Sequence, residues 1–145
     1  MPRADLDPSY DSHLLQHEDF LISRSGTCGV PAVFDISEGG EKVIPGAFLI
    51  RLRLNEELDP HFLRAYFNSE PGRKLTGSLA QGGVQKNIRG SSLLNSTVPF
   101  PSLSEQRLLL RYLRTFEEAT RSSERELASV STLGSTFSSE LLGGN

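Results

Sequence analysis

His13 and His17 stand four residues apart, a spacing that sets two imidazoles on one helical face and could hold a metal ion. No third ligand is evident, and Leu14-Leu15 between them reads as packing. His61 falls in the first turn of a helix capped by Asp59 and needs no catalytic explanation. The single cysteine, Cys28, lies in the glycine-flanked turn Ser25-Gly26-Thr27-Cys28-Gly29, where a thiol could be exposed as a nucleophile. No histidine is marked as its partner, and small residues suit a tight turn in any case. Gly26-x-x-Gly29 is too short for a phosphate-binding loop, and no paired carboxylates or nuclease-like constellation stands out. What remains is donor chemistry on turns: Ser23-Arg24-Ser25, Gln85-Lys86-Asn87 and Arg89-Gly90-Ser91-Ser92. Arg and Lys neutralise phosphates, while Gln, Asn and Arg can pair with base edges. Composition alone favours a solvated loop surface for these clusters. Arg24, Lys86, Asn87 and Arg89 are the candidates for DNA.

Asp7-Pro8-Ser9-Tyr10 resembles the Asp/Asn-Pro-Pro-Tyr tetrapeptide by which amino-methyltransferases hold a base nitrogen. The second proline is absent, no apolar strand precedes it, and no glycine-rich cofactor loop occurs, so a surface turn is the better reading. No catalytic residue, metal or cofactor is expected, and the chain does not read as an enzyme.

Charge sharpens the picture. The 145 residues carry a net charge of −3, which alone argues against a nucleic-acid binder. The distribution differs: residues 1–50 hold −5, residues 51–89 hold +3 and residues 90–145 hold −1. A local positive patch governs contact with phosphate more than the whole-chain value does. Hydrophobic residues make up 37%, enough for one modest core. The apolar runs are too short to span a membrane, the N-terminus has no apolar signal core, and one cysteine cannot build an internal disulfide framework. A reducing, cytoplasmic setting is the expectation.

The elements that must position these loops follow from periodicity. Residues 1–17 read as irregular. Phe20-Leu21-Ile22-Ser23 reads as a strand entering the Ser25–Gly29 turn, and Val30 to Ile36 as a second β-prone run ending before Glu38-Gly39-Gly40. In Phe48 to Leu54, Phe48, Ile50, Leu52 and Leu54 share one face while Arg51 and Arg53 share the other, the alternation of a half-buried strand. Asp59-Pro60 starts a helix with a cap and a proline at its first position. Phe62, Leu63, Tyr66 and Phe67 form its apolar stripe. Pro71-Gly72 should stop it, with one more short helix over Arg73 to Gln81. Gly82-Gly83 opens the Val84–Arg89 loop, and Thr97-Val98 reads as a last short strand.

From Ser104 onward the pattern changes. Leu109, Leu113, Phe116, Thr120, Ser123, Leu127, Val130, Gly134, Phe137 and Leu141 recur in alternating steps of four and three, the 3.5-residue average of a coiled-coil seam. Gly143-Gly144 would cap its end. A helix from Glu105 to Leu142 spans about 57 Å at 1.5 Å per residue, too long for its own domain to cover, so it should pair with another long helix. The helix-pairing candidates are Leu109, Leu113, Phe116, Leu127, Val130, Phe137 and Leu141. The expected class is α+β: a small mixed sheet with one or two short helices over 1–103, then a long helix over 104–145 that pairs as an antiparallel coiled coil.

Several stretches together resemble one family, the DNA specificity subunits of type I restriction–modification systems. Phe20 to Thr27, with Asp19 before it, is similar to the family's D-hydrophobic-L-I-S-R-S-G strand and turn. His61-Phe62-Leu63 through Tyr66-Phe67-Asn68-Ser69 resembles the following helix. Gly82-Gly83-Val84-Gln85-Lys86-Asn87-Ile88 is similar to the G-x-x-Q-x-N-I loop. Val98 to Gln106 resembles the P-x-P-x-L-x-E-Q lead into the long helix, and Leu141-Leu142-Gly143-Gly144 its L-L-x-G end. The resemblance implies a target recognition domain reading half of a bipartite site on double-stranded DNA. It also implies a long spacer helix that pairs antiparallel with a second specificity half, or with a second copy, and docks the modification subunits. Those methyltransferase subunits, together with the restriction subunit, would carry the catalysis. Two departures stand out. Glu18 occupies the place of the family's usual glycine, and only nineteen residues precede Phe20, so the front of the recognition domain is expected to be incomplete. An alternative of another class is a structural interaction protein that docks through its long helix without touching DNA.

Overall fold

The computed structural model describes residues 12–35, 42–83 and 85–142, with side chains of the last helix described as far as Thr132. The Asp7–Tyr10 turn, Glu38-Gly39-Gly40, Val84, the seam positions Gly134, Phe137 and Leu141, and the Gly143-Gly144 cap lie outside what it describes. The chain forms two compact units, one ending at Arg107 and one beginning at Leu108.

Three strands build the first unit's sheet: β1 (Phe20–Ser23), β2 (Pro31–Val33) and β3 (Leu49–Leu52), in the order β2-β1-β3. Both pairings are antiparallel, so the mixed sheet expected from sequence narrows to an antiparallel one. Aromatic and β-branched residues favour the extended chain in β1, and period two sends Phe20 and Ile22 to one face, where both are fully buried. Phe20 lies opposite Val33 and Leu52, and Ile22 opposite Pro31 and Ile50. Pro31 has no N–H to give a ladder, which suits its place on an edge strand.

Helices α1 (Pro60–Asn68) and α2 (Glu70–Leu79) follow. Asp59 caps α1 as expected: its Oδ1 accepts from the N–H groups of His61 at 2.9 Å and Phe62 at 3.4 Å. Leu63 and Phe67, four residues apart, bury the inner stripe, and the Phe67 ring lies 5.7 Å from Phe20. Ile88 and Leu93 complete the core cluster. Full burial of Phe20, Ile22, Phe67 and Ile88 contributes about 1.5–3 kcal/mol each.

Pro71-Gly72 does not end α1. Ser69 does: its N–H bonds to the carbonyls of Ala65 and Tyr66, and its Oγ accepts from Gly72 N to open α2. Pro71 then sits in the first turn of α2, where no intrahelical donor is required. A Cβ on Gly72 would fall 2.1 Å from the Tyr66 carbonyl oxygen, so the two helices meet at this angle only because residue 72 has no side chain. Two further expectations change. Thr97-Val98 forms no strand, and Gly90–Leu94, read as a loop, is a short helix, α3, that buries Leu93.

Helix α4 (Leu103–Leu142) is continuous over 40 residues. The Glu105 carboxylate reaches back to cap its start, with the Ser102 hydroxyl and N–H both donating to Glu105 Oε2, at 2.6 and 3.0 Å. Gln106 in its first turn is fully buried. Gln106 Oε1 accepts from Asp59 N at 2.9 Å, and its Nε2 donates to the carbonyls of Glu57 and Pro101, each at 2.8 Å. One amide therefore joins the α1 cap, the segment before it and the lead into α4. Beyond Arg107, the seam residues Leu109, Leu113, Phe116, Leu127 and Val130 are all exposed. Thr120, at the weak centre of the seam, bonds back to the Phe116 carbonyl of its own helix.

Two outcomes follow. Replacing Gln106 by Leu keeps the volume but strands a buried N–H and two carbonyls, and urea unfolding should show a loss of about 2–4 kcal/mol. No loss would mean that water replaces the amide. The Ser102 hydroxyl, then its N–H, hold the Glu105 carboxyl below its ordinary pKa. The cap therefore stabilises the helix start above the unfolded carboxylate pKa and fades as pH falls through the lower folded value. Carboxyl NMR should place the Glu105 midpoint below the ordinary range and move it upward in Ser102→Ala.

Candidate nucleic-acid interface

Strands β1, β2 and β3 bring three connections to one end of the sheet: the loop after Ser23, the turn before Leu49 and the segment around Asn87. The first is a closed loop. Gly29 N donates to the Ser23 carbonyl at 2.8 Å, Val30 N donates to Ser23 Oγ at 2.9 Å, and the Ser23 hydroxyl itself donates to the Thr27 carbonyl. Gly29 adopts φ +87, and a Cβ there would stand 2.6 Å from the Thr76 side chain of α2. Only glycine satisfies both the left-handed backbone and the approach to α2.

The second element is the stretch after α2. Gln81 and Asn87 exchange main-chain hydrogen bonds, 3.0 Å from Gln81 N to Asn87 O and 2.8 Å in return, which closes the loop between them. Asn87 also forms an antiparallel bridge with Ser25. Ile88 then donates its N–H to the Arg24 carbonyl at 2.8 Å, while its side chain is fully buried in the core. The apolar anchor at position 88 therefore holds the polar residues beside it at the sheet end.

The sequence candidates Arg24 and Asn87, 63 residues apart, meet: Arg24 Nη2 lies 3.4 Å from Asn87 Oδ1. Both side chains are half-buried, whereas Lys86 and Arg89 are exposed. Among the described residues neither Lys86 nor Arg89 forms an ion pair, in contrast to Lys74 with Glu70 and Arg53 with Asp19. Cys28 has a structural place. Its thiol donates toward the carbonyls of Arg24 at 3.1 Å and Lys86 at 3.3 Å, so it links the two loops. The sequence offers Cys28 as an exposed nucleophile or a small turn residue, and nothing in its neighbours reveals a partner 58 positions away. The two histidines lie in short turns, not on one helix, and His17 Nδ1 stands 3.3 Å from Asp35.

The alternation that placed Phe48 inward also needs correction. Ile50, Leu52 and Leu54 pack against the core, but Phe48 precedes the strand and is 67% exposed. The turn ahead of it, closed by Leu49 N to the Gly46 carbonyl at 3.0 Å, ends the two-residue period one position early. Arg51 and Arg53 occupy the opposite face as expected. Arg51 donates to the carbonyls of Leu14 and Ser12, and Arg53 to Asp19 and Leu14, so these two cations are used inside the fold.

The arrangement offers two exposed, unpaired cations next to a half-buried Arg–Asn pair, on loops fixed at main chain and at one buried apolar residue. Such a surface neutralises phosphate and can present amide and guanidinium donors to base edges. None of the described helices is long and apolar enough to cross a membrane. No curated protein matches the sequence. A family model described as the type I restriction modification DNA specificity domain matches residues 7–132, most of the chain, with both loops and the long helix as far as Thr132 inside the match. The chain belongs to the type I restriction–modification DNA specificity family.

Proposed function

We propose that this chain recognises DNA sequence and organises assembly in a type I restriction–modification system, directing partner adenine-methyltransferase and nuclease subunits to a bipartite site. The observation that carries the reading is the union of the Arg24 loop with the Lys86–Arg89 segment. Lys86 and Arg89 hold phosphates and set the register. In this reading Arg24 and Asn87, half-buried beside them, meet base edges. The chain itself supplies no catalytic step and needs no cofactor. The long helix acts as spacer and docking post, and its exposed Leu109, Leu113, Phe116, Leu127 and Val130 supply the seam for an antiparallel partner helix. A cytoplasmic site of action suits this role.

A second reading rests on that same exposed seam and on the acidic first fifty residues. In it the chain is a structural protein that occupies a partner's docking site without touching DNA.

Binding of a mixed-sequence duplex by the complex with modification subunits separates the two. In the recognition reading, Lys86→Ala and Arg89→Ala each lower the slope of log affinity against log salt by about 0.9 and weaken binding. Unchanged slope and affinity in both variants would reject these contacts. Absence of a gel shift, with or without the modification subunits, would leave the structural reading standing.

A further inference from the structure

Phe48 is the largest apolar side chain left in solvent at the sheet end that carries the candidate cations. It is 67% exposed, and among the described residues no aromatic contact holds its ring. Its backbone is nevertheless fixed. The Phe48 carbonyl accepts from Arg24 N at 2.8 Å, and the next residue, Leu49, pairs with Ser23. The Arg24 carbonyl in turn accepts from Ile88 N at 2.8 Å, so the main chain of one residue lies between Phe48 and the Lys86–Arg89 segment. The ring is thus exposed but held in position at its base.

A single exposed apolar side chain needs no explanation by itself. Its surroundings supply one. Arg24, Lys86 and Arg89 make this end positive, and no ion pair with a described carboxylate offsets them. That charge suits a polyanion and disfavours burial against a purely apolar protein surface. An aromatic ring among phosphate-binding cations contacts a thymine methyl or a base face, or wedges at a base step.

We infer that Phe48 is a base-contacting residue of this domain, placing its ring against DNA bases while the neighbouring cations hold phosphates. The inference rests on the DNA-recognition reading and adds a contact that carries no charge. The two therefore separate experimentally, because losing the ring should change affinity without changing the salt slope.

The test uses the full chain assembled with its modification subunits and a mixed-sequence DNA duplex. Phe48→Ala should weaken binding by about 5- to 150-fold, the range spanned by one base–aromatic contact, with the salt slope unchanged. In the same assembly, Phe48→p-benzoylphenylalanine should give a chain–DNA adduct on irradiation. Wild-type affinity for Phe48→Ala, or no DNA adduct while the duplex is still bound, would overturn the proposal and leave the recognition reading intact. An adduct to a modification subunit in place of DNA would also overturn it, by assigning the ring to a protein contact. If even the wild-type assembly does not bind DNA, the recognition reading falls and this proposal falls with it.

Discussion

The main chain of Arg24 is the point on which the candidate interface depends. Its N–H is taken by Phe48, and its carbonyl is shared by Ile88 N and the Cys28 thiol. These bonds gather segments from three separate parts of the chain at one end of a small sheet. Each main-chain bond is worth only about 0.5–1.5 kcal/mol net. Their effect is larger as geometry, because they are anchored by Ile22 and Ile88, both fully buried. Losing either apolar residue would remove the burial that anchors these loops to the core. The function read from Lys86, Asn87 and Arg89 thus rests on burial a residue or two away.

A second constraint governs the start of the long helix, and it explains a sequence pattern in physical terms. In Pro101-Ser102-Leu103-Ser104-Glu105-Gln106 each polar side chain has a distinct task. Glu105 accepts from both the Ser102 N–H and its hydroxyl, while Gln106 joins three main-chain groups inside the domain. Gln106 needs both an acceptor and a donor, so Glu would place an unpaired charge there and Leu would satisfy nothing. The Glu105 carboxylate fixes where the helix begins, and the buried amide fixes what its first turn is attached to. A helix proposed as a spacer needs both.

The parts legible in the sequence were those governed by local rules. The Asp59 cap, the Leu63–Phe67 stripe, β1 and the long helix follow from capping and periodicity. The errors share a cause, since in each a single cap, turn or burial contact overrides what the residue types suggest. Pro71-Gly72 looks like a stop until Ser69 is seen ending one helix and capping the next. Gly90–Leu94 is too short for a period to show, and its helix is secured by burial of Leu93. Phe48 fits a strand alternation that the Gly46 turn cuts off. The interface was legible as a set of donor-rich loops but not as a cluster, because the pairing of Ser25 with Asn87 leaves no local trace. Glu18 adopts φ +66, a left-handed conformation that glycine takes without steric cost, which gives the departure from the family pattern a physical meaning.

Amide hydrogen exchange of the assembled complex, with and without duplex DNA, tests the central claim most directly. The account predicts new protection concentrated in residues 24–29 and 85–89, with the exchange of residues 108–132 set by the protein partners and unchanged by DNA. Protection by DNA confined to the long helix, or spread over the domain with none in these two loops, would contradict it.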